Sequence, residues 1–313
     1  MSLRVARIDA IADGVFRYDL RASDGGDLPP FTAGAHITVW IPNDGTRCYS
    51  LSNDPAERHR YEIAVKREVV GRGGSIRLLD DVQEGDVLEV SAPDNWFALV
   101  PDAAEFLFIA GGIGITPIMA MMRHLNTTRI ARYKLYYLTR APSQTPFLAE
   151  LQTAPFADQA IIHHDNGDPD CAFDLWPLFE RPTTAHVYCC GPQSLMDGVR
   201  DMTGHWPASS IHFESFTNAL ATPRADDVPF AVRLARSGAT ITVNAGVSII
   251  EALRAHGCRV PSSCESGTCG TCRTRLLAGE PDHRDLVLTD AERADHIMVC
   301  VSRAKSAELV LDL

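Results

Sequence analysis

The sequence of 313 residues contains no apolar run that approaches the roughly 20 residues needed by a membrane-spanning helix. Near its start, Asp9 stands where the apolar segment of a signal peptide would run, so we expect no targeting segment. Basic residues are scarce, because 29 Lys and Arg are set against 40 Asp and Glu, for a net charge of −11. These absences argue against a membrane protein, a secreted protein and a nucleic-acid-binding protein, which usually has a basic face.

Cysteine is the residue type whose pattern is most informative. Four of the nine cysteines follow the spacing C-x4-C-x2-C with a distant fourth member: Cys264, Cys269, Cys272 and Cys300. This is the plant-type spacing for a 2Fe–2S cluster, in which four thiolates converge on two bridged irons. Gly267 and Gly270 would let the loop turn with positive φ. A zinc site would more often show two C-x2-C pairs, whereas this segment has one, Cys269 and Cys272. A dithiol redox motif would explain that pair but would give Cys264 and Cys300 no role.

The other cysteines do not indicate a secreted disulfide framework, because the total is odd and the chain is long for that class. We expect them to remain thiols in a reducing cytoplasm: Cys48, Cys171, Cys189, Cys190 and Cys258. The length predicts two or three domains. From the changes of pattern described below, we place these domains at residues 1–100, 101–222 and 223–313.

Residues 1–100 contain short strand-like segments separated by Gly, Pro and Asp turns, a pattern typical of a β-sandwich or a small barrel. One of these segments, RCYSLSN, carries side chains suited to a ligand. In a strand, Arg47 and Tyr49 lie on one face and Ser50 on the other. An arginine and an aromatic platform on one face of a strand would suit a flavin, although a surface charge and a half-buried tyrosine would give the same pattern.

A glycine-rich helix start follows in the segment VKREVVGRGGSIRLLDDV. Ser75 is predicted to cap a helix over residues 76–82, and backbone N–H groups at such a start can bind a phosphate. Arg47, with Lys66 or Arg67, could add charge-assisted contacts to the same phosphate. The candidate phosphate-binding residues of this segment are Lys66, Gly73, Gly74 and Ser75.

After residue 101 the pattern changes to strand, glycine loop and helix in EFLFIAGGIGITPIMAMMRHL. Gly111, Gly112 and Gly114 would let a ligand approach the backbone, and Thr116 is predicted to cap the helix with Pro117 at its first position. The helix start would then present N–H groups and a partial positive charge to a pyrophosphate.

Further alternation of strands and helices predicts a parallel sheet with helices on both faces. Ligands of such sheets bind at the carboxyl ends of the strands. In addition to the glycine loop, the residues predicted at these ends are Thr139, Arg140, Cys190, Gly191 and Pro192.

Residues 223–313 have the order strand, strand, helix, loop and strand, which is the β-grasp pattern of plant-type ferredoxins. The helix is predicted to end at Gly257, before the cluster loop. Cys300 lies in the apolar run HIMVCVS, which predicts a strand. Residues 219–229, rich in Ala, Pro and Asp, are predicted to form the linker to this domain.

The motif RxYSLSND, followed by GRGGS, resembles the flavin domain of the ferredoxin–NADP reductase superfamily. It resembles more closely the phthalate dioxygenase reductase family, whose members carry FMN rather than FAD, and the resemblance spans the chain. It implies that Arg47 binds the flavin phosphate, that Tyr49 packs on the isoalloxazine ring and that Ser50 approaches its reactive nitrogen. Ser75 would also bind the phosphate.

The same resemblance assigns a nicotinamide site. It implies that Cys190 lies beside the ring carbon that gives up hydride, and that Phe216 covers one flavin face, with Glu214 as a weaker candidate. NADH is favoured over NADPH, because the region after Arg140 lacks a further basic residue for a 2′-phosphate. Arg140 alone keeps NADPH open as an alternative.

Together these patterns predict a multidomain α/β and β protein with an antiparallel flavin-binding β-barrel, a parallel α/β nucleotide-binding domain and a C-terminal β-grasp 2Fe–2S ferredoxin domain. The hypothesis is that electrons pass from NADH through FMN and the cluster, since a flavin accepts a pair and releases it singly. By resemblance, the recipient is a Rieske-type non-haem iron oxygenase acting on an aromatic acid as a dioxygenase or O-demethylase. The alternatives are an FAD reductase for another oxygenase and a non-enzymatic cluster-binding sensor.

Overall fold

The computed structural model describes residues 1–41, 45–69, 74–216, 224–262, 265–268 and 270–313. The chain forms two compact units, Met1–Ser215 and Phe216–Leu313. Within the described ranges, the helices are too short or too polar to cross a bilayer.

The first unit begins with a six-stranded antiparallel barrel. Its strands are β1 (Ser2–Ala12), β2 (Val15–Ala22), β3 (His36–Ile41), β4 (Gly45–Ser50), β5 (Tyr61–Lys66) and β6 (Val87–Glu89). Four of them form a sheet in the order β5-β2-β1-β6, and β3 and β4 form a hairpin. Bridges between Val39 and Val90 and between Leu51 and Ile63 join the hairpin to both edges of the sheet. The ring of strands is thereby closed, and the predicted barrel is confirmed.

Alternation of side chains along the strands fills the barrel interior. Tyr18 and Leu20 on β2 and Ile63 on β5 are fully buried, as expected when every second residue points inward. Helix α1 (Gly74–Asp81) packs on the barrel through Leu78, whose backbone oxygen accepts a hydrogen bond of 3.1 Å from the Tyr18 hydroxyl. The barrel therefore holds the start of α1 beside the strands that carry the candidate flavin residues.

The second half of this unit is a five-stranded sheet whose paired strands are all parallel, in the order β11-β10-β7-β8-β9. Its strands are β7 (Glu105–Gly111), β8 (Arg132–Thr139), β9 (Ala160–His164), β10 (His186–Cys190) and β11 (Ile211–Glu214). Its helices are α2 (Ile115–Thr128), α3 (Leu148–Leu151), α4 (Trp176–Phe179) and α5 (Gln193–Met202). The parallel α/β prediction is confirmed.

Two details of this half differ from expectation. The segment SQTPFLAELQTA (143–154) has a helical pattern, but the helix formed is limited to α3, because Phe147 before it has a left-handed backbone with φ of 60°. The edge strand β11, which pairs with β10 and ends at Glu214, was not predicted from the sequence. Both differences arise from contacts and backbone geometry that the local apolar pattern does not reveal.

The second unit is a five-stranded sheet in the order β13-β12-β18-β14-β16, with a helix packed against β13. The elements are β12 (Phe230–Leu234), β13 (Thr240–Val243), α6 (Ile249–Ala255), β14 (Arg273–Ala278), β15 (Pro281–Asp282), β16 (His296–Met298), β17 (Arg303–Ala304) and β18 (Glu308–Leu311). Strands β12 and β18 are parallel, whereas the other pairs of this sheet are antiparallel. This confirms the predicted β-grasp fold.

Helix α6 has the ends that the sequence predicts. Ser248 and Glu251 form a reciprocal capping box at its start. Gly257 follows the C-cap residue with φ of 79°, as expected of a C′ glycine. The predicted strand through Cys300 is wrong in extent, because β16 ends at Met298 and Cys300 lies in the turn that follows. Of the predicted linker, residues 219–223 lie outside the described residues.

A buried ion pair supports the second unit. The Arg284 guanidinium donates to both carboxylate oxygens of Asp227, at 2.5 and 3.1 Å, and each side chain is only 5% exposed. Arg303 lies 3.6 Å from the same carboxylate. The Arg284 hydrogen bonds, which outweigh the opposing effect of burial, lower the pKa of Asp227 to about 2 from an ordinary 3.8.

We expect Asp227→Asn to destabilise the second unit by about 3 kcal/mol, because Arg284 and Arg303 would lose the carboxylate that they share, although Arg284 would keep its bond to Asp282. The Asp227 pKa is lowered by folding, so its contribution is complete above pH 3.8 and is lost as the pH falls through about 2. Urea unfolding between pH 2 and 7 would measure both effects. The neighbouring exposed residue supplies the control, Asp226→Asn, and an equal loss of stability in both variants would contradict the prediction.

Candidate functional site

Strand β4 carries the candidate flavin residues at the edge of the barrel. Arg47 and Tyr49 are half-buried on one face, whereas Ser50 on the other face is buried. Tyr49 packs against the barrel core. A side chain at Gly74 would overlap the Arg47 guanidinium, so the structure places Arg47 directly against the start of α1. An arginine beside a helix N-terminus fits an anionic phosphate.

The predicted N-cap role of Ser75 is wrong. Helix α1 begins at Gly74, so Ser75 lies inside its first turn, where its Oγ accepts a hydrogen bond of 3.1 Å from the Glu68 N–H. Lys66 is exposed and lies 3.4 Å from the Glu68 carboxylate. Gly73, the other candidate in this loop, lies outside the described residues.

The glycines at the ends of β7 and β10 let two loops pack backbone against backbone. A Cβ atom at Gly114 would overlap the carbonyl of Cys190, and one at Gly111 would lie 2.5 Å from the Pro192 ring. A Cβ at Gly191 would in turn lie 2.9 Å from the backbone of Gly111. Larger residues at these positions would therefore separate the two loops.

The start of α2 differs in detail from the prediction. A short 3₁₀ turn over residues 112–114 precedes α2, and Gly114 is the N-cap of α2. Thr116 is the second helical residue rather than the cap, and its Oγ1 donates to the Ile113 carbonyl at 3.1 Å. Pro117 is consequently the third residue of the helix and not the first. A Cβ atom at Gly112, which has φ of 53°, would meet no heavy atom within 4 Å, so this side of the loop is open to a ligand.

The end of β8 is fixed to the end of β9. Thr139 is buried, and its Oγ1 is 2.8 Å from Nδ1 of His164 and 2.7 Å from the Thr145 hydroxyl. Its side chain is thus engaged within the protein. Arg140, the next residue, is exposed at the same edge of the sheet. Of these two candidates, Arg140 has the side chain that is accessible to a nucleotide.

Ser50, Glu214 and Cys190 meet where the barrel adjoins the sheet. The Ser50 hydroxyl donates to Oε2 of Glu214 at 3.4 Å, and Glu214 is the register partner of Cys190 on the neighbouring strand. Cys190 is fully buried, and this burial, with a smaller effect from the Glu214 charge, raises the pKa of its thiol well above 9.0. A neutral thiol, a hydroxyl and a carboxyl group thus lie together at the carboxyl ends of two strands.

Phe216, the predicted cover of the flavin, is the first residue of the second unit and is 39% exposed. Its role stays a prediction. Glu214 lies closer to the other candidate residues than the sequence suggested. Recognising residues 211–214 as an edge strand beside β10 would have placed Glu214 next to Cys190.

Two of the four predicted cluster ligands lie in described parts of the second unit. Cys272 and Cys300 are buried in the same hydrophobic core and are not joined to each other by a disulfide. They lie next to paired strands, because Cys272 precedes β14, Cys300 follows β16, and Arg273 pairs with Met298. Cys264 and Cys269 lie outside the described residues. Two buried thiols at adjoining strand ends fit the ligand set of a cluster.

The described part of the cluster loop has the backbone that the sequence predicts. Gly267 and Gly270 have φ of 73° and 80°, which confirms the expected positive values. The Gly267 carbonyl accepts a hydrogen bond of 3.0 Å from the Leu286 N–H, which anchors the loop to the segment after β15. At Gly267 the described part of the loop is therefore anchored by a backbone hydrogen bond.

Known proteins resemble this chain over its full length. Residues 232–305 match the family model described as a 2Fe–2S iron-sulfur cluster binding domain. The chain is 54% identical to a phthalate 4,5-dioxygenase oxygenase reductase subunit of Pseudomonas putida, over 99% of this chain and 96% of the relative. It is also 54% identical to a phthalate dioxygenase reductase of Burkholderia cepacia, over 100% and 97% of the two chains. A solved phthalate dioxygenase reductase structure matches with a TM-score of 0.87 at 54% identity, covering 100% of this chain and 98% of that one.

The barrel, the parallel sheet and the cluster-binding unit define an iron–sulfur flavoprotein oxidoreductase. The chain belongs to the phthalate dioxygenase reductase family. It is a reductase component of a multicomponent oxygenase, so its physiological partner is an oxygenase component. Its cofactors are FMN and a 2Fe–2S cluster. The solved phthalate dioxygenase reductase is described as a structure for electron transfer from pyridine nucleotides to a 2Fe–2S centre.

Proposed function

We propose that this protein transfers electrons from NADH through FMN and the 2Fe–2S cluster to a Rieske-type non-haem iron oxygenase acting on an aromatic acid, in the cytoplasm. The proposed domains are residues 1–100 for FMN, 101–222 for NADH and 223–313 for the cluster. The bound flavin supplies the conversion from a two-electron donor to a one-electron acceptor. The side chains described above bind and align these groups.

In the barrel, Arg47 and the N–H groups at the start of α1 would hold the FMN phosphate. This assignment is supported by the contact of the Arg47 guanidinium with Gly74, because a positive side chain and a helix N-terminus then face the same point. Tyr49 would pack on the flavin ring, and the Ser50 hydroxyl would approach its reactive nitrogen. Lys66, Gly73 and Ser75 remain proposed contributors to the phosphate site.

In the parallel sheet, the loop of Gly111, Gly112 and Gly114 would hold the nucleotide pyrophosphate at the start of α2. The open side of Gly112 supports this assignment. Thr116, a candidate in the same site from its place at the start of the helix, would take part through its backbone because its hydroxyl is bonded to Ile113. Gly191 and Pro192 would shape the opposite wall.

At the nicotinamide, Cys190 would act as a neutral neighbour of the reacting carbon. Its raised thiol pKa keeps the proton on Sγ at neutral pH, so Cys190 lies beside the reacting carbon as an uncharged thiol. Glu214 and Ser50, joined by a hydrogen bond, would orient the donor against the flavin. Phe216 would cover the flavin face until the nicotinamide takes its place.

NADH is proposed over NADPH from the charges at the sheet edge. Arg140 is the accessible cation after β8, whereas Asp165 after β9 adds a negative charge beside it, with its N–H bonded to the Thr139 carbonyl at 3.1 Å. A carboxylate near the ribose disfavours a 2′-phosphate and suits a 2′-hydroxyl. Thr139 would hold these strand ends in place through His164.

The convergence of Ser50, Glu214 and Cys190 is the observation that carries this proposal, because it joins the barrel to the sheet at one point. Anaerobic titration of the purified protein with NADH tests it. We expect the flavin and cluster absorption to bleach together, with NADPH much less effective. A flavin that NADH cannot reduce would favour the sensor alternative, and release of FAD rather than FMN on heating would overturn the cofactor assignment.

A further inference from the structure

Arg123, in the C-terminal half of α2, connects separate parts of the first unit. Its Nη1 donates to the Ser52 carbonyl at 2.6 Å and to Oε1 of Glu62 at 2.7 Å. Its Nε and Nη2 donate to the two carboxylate oxygens of Glu150 at 3.0 and 2.6 Å. The side chain is 13% exposed, and its guanidinium carbon lies 5.5 Å from the centre of the Phe147 ring. The planar guanidinium is therefore fixed on both of its edges.

The barrel side of this contact is itself rigid. The Glu62 side chain is 1% exposed, and its Oε1 also accepts a hydrogen bond of 2.8 Å from the Ser52 hydroxyl. The backbone N–H of Ser52 donates to the Glu62 carbonyl, and the backbone N–H of Glu62 donates to Oδ1 of Asn53. Arg60 binds the second carboxylate oxygen of Glu62 at 3.1 Å. Arg123 thus contacts two segments, at Ser52 and Glu62, that hydrogen bonds already hold together.

These contacts lead toward both halves of the proposed hydride-transfer site. Ser52 is two residues beyond Ser50, on the segment that continues from β4. At the other end, α2 starts at Ile115, directly after the glycine loop proposed to hold the pyrophosphate. The distance along the helix from residue 115 to Arg123 is about 12 Å. The intervening residues Ile118 and Met119 are fully buried, so the helix cannot tilt without disturbing the core.

We infer that Arg123 is a positioning residue for hydride transfer, which holds the flavin-binding strand in fixed register with the helix that begins at the nucleotide site. This inference rests on the proposed function. Hydride transfer requires the two reacting atoms to approach to about 3–3.5 Å, and a shift of about 1 Å can slow such a reaction roughly 100-fold. A direct link between the two binding segments restricts this distance, although Arg123 itself touches neither reacting atom.

Three variants separate positioning from stability. Arg123→Met removes all of the hydrogen bonds but keeps an apolar stem of similar length. Arg123→Lys keeps the charge but cannot reach Ser52, Glu62 and Glu150 at once. The matched control is Arg60→Gln, which removes another cation from Glu62 and whose carboxylate partners Glu57, Asp19 and Glu62 all belong to the barrel.

Stopped-flow reduction of the bound flavin by NADH provides the first measurement. For Arg123→Met we expect the limiting rate at saturating NADH to fall about 10- to 100-fold, with NADH affinity changed by less than about 3-fold. Arg123→Lys should have a limiting rate between those of Arg123→Met and the wild type. If Arg123→Met does not fold, the limiting rate of Arg123→Lys is compared with the wild type instead. Arg60→Gln should lose stability but keep its limiting rate within about 2-fold of the wild type. A wild-type rate for Arg123→Met, or an equal decrease for Arg60→Gln, would overturn the inference.

Hydrogen exchange provides a second measurement that does not depend on turnover. The N–H groups of Leu51 and Ser52 are bonded to the Ala35 and Glu62 carbonyls. We expect them to exchange faster in Arg123→Met than in Arg60→Gln, and unchanged exchange in Arg123→Met would overturn the inference. Wild-type protein that NADH does not reduce would instead contradict the proposed function, while the exchange comparison would still decide whether Arg123 holds this segment.

Discussion

Replacing Cys300 by serine is expected to abolish electron delivery to the oxygenase while the flavin is still reduced by NADH. Cys300 is a buried thiol in the turn after β16, within the core that also contains Cys272. A hydroxyl is a poor substitute for a thiolate as an iron ligand. We expect the reduction of a one-electron protein acceptor to fall by at least about 100-fold.

The control for this variant is Cys258→Ser. Cys258 is partly buried, packs against the same core and donates its backbone N–H to the Leu253 carbonyl at the end of α6. It does not belong to the C-x4-C-x2-C set, so its replacement should leave iron content and cluster absorption unchanged. Iron analysis and the absorption spectrum of both proteins check the prediction. A Cys300→Ser protein that keeps its full iron content and its cluster spectrum would show that this cysteine is not a ligand.

The strands and the glycine turns were predictable from sequence because their causes are local. Gly, Pro and Asp turns between short strand-like segments located the barrel strands, and the positive φ of Gly267 and Gly270 followed from the need for a tight cluster loop. The helix starts were less predictable. Threonine is a residue type that often caps helices, so Thr116 was a reasonable candidate. The helix begins earlier because Gly114 packs against the Cys190 carbonyl, which is remote in sequence.

The contacts that organise the candidate site could not have been deduced from sequence in the same way. Ser50 and Glu214 meet across 164 positions, and Arg123 reaches Glu62 across 61. From sequence alone, Arg123, Glu62 and Glu214 would each be expected to lie on the surface as a solvated charge. The fold brings each pair together only after the barrel and the sheet have both formed, so their roles follow from tertiary packing and not from any local motif.

Replacing Gly114 by alanine is expected to disrupt nucleotide binding and to lower stability together. The added methyl group would overlap the backbone carbonyl of Cys190 and lie 2.7 Å from the N atom of Gly191. Both contacts are with backbone, which cannot rotate away as a side chain would. We expect the free energy of unfolding of the first unit to decrease by about 3 kcal/mol, as found for overpacked interiors. We also expect the KM for NADH to rise by about 10-fold or more, because the glycine loop would be displaced from its wall.

The same substitution at Gly198 tests whether the effect is due to crowding. Gly198 lies inside α5, where an added Cβ would be 3.7 Å from the end of the Met202 side chain, an ordinary contact distance. Alanine is the better helix former, so Gly198→Ala should stabilise the protein by about 0.5–1 kcal/mol. Urea unfolding followed by flavin fluorescence and NADH saturation curves compare the two variants. If Gly114→Ala kept both the stability and the KM of the wild type, the two loops would not be in the close contact that the site requires.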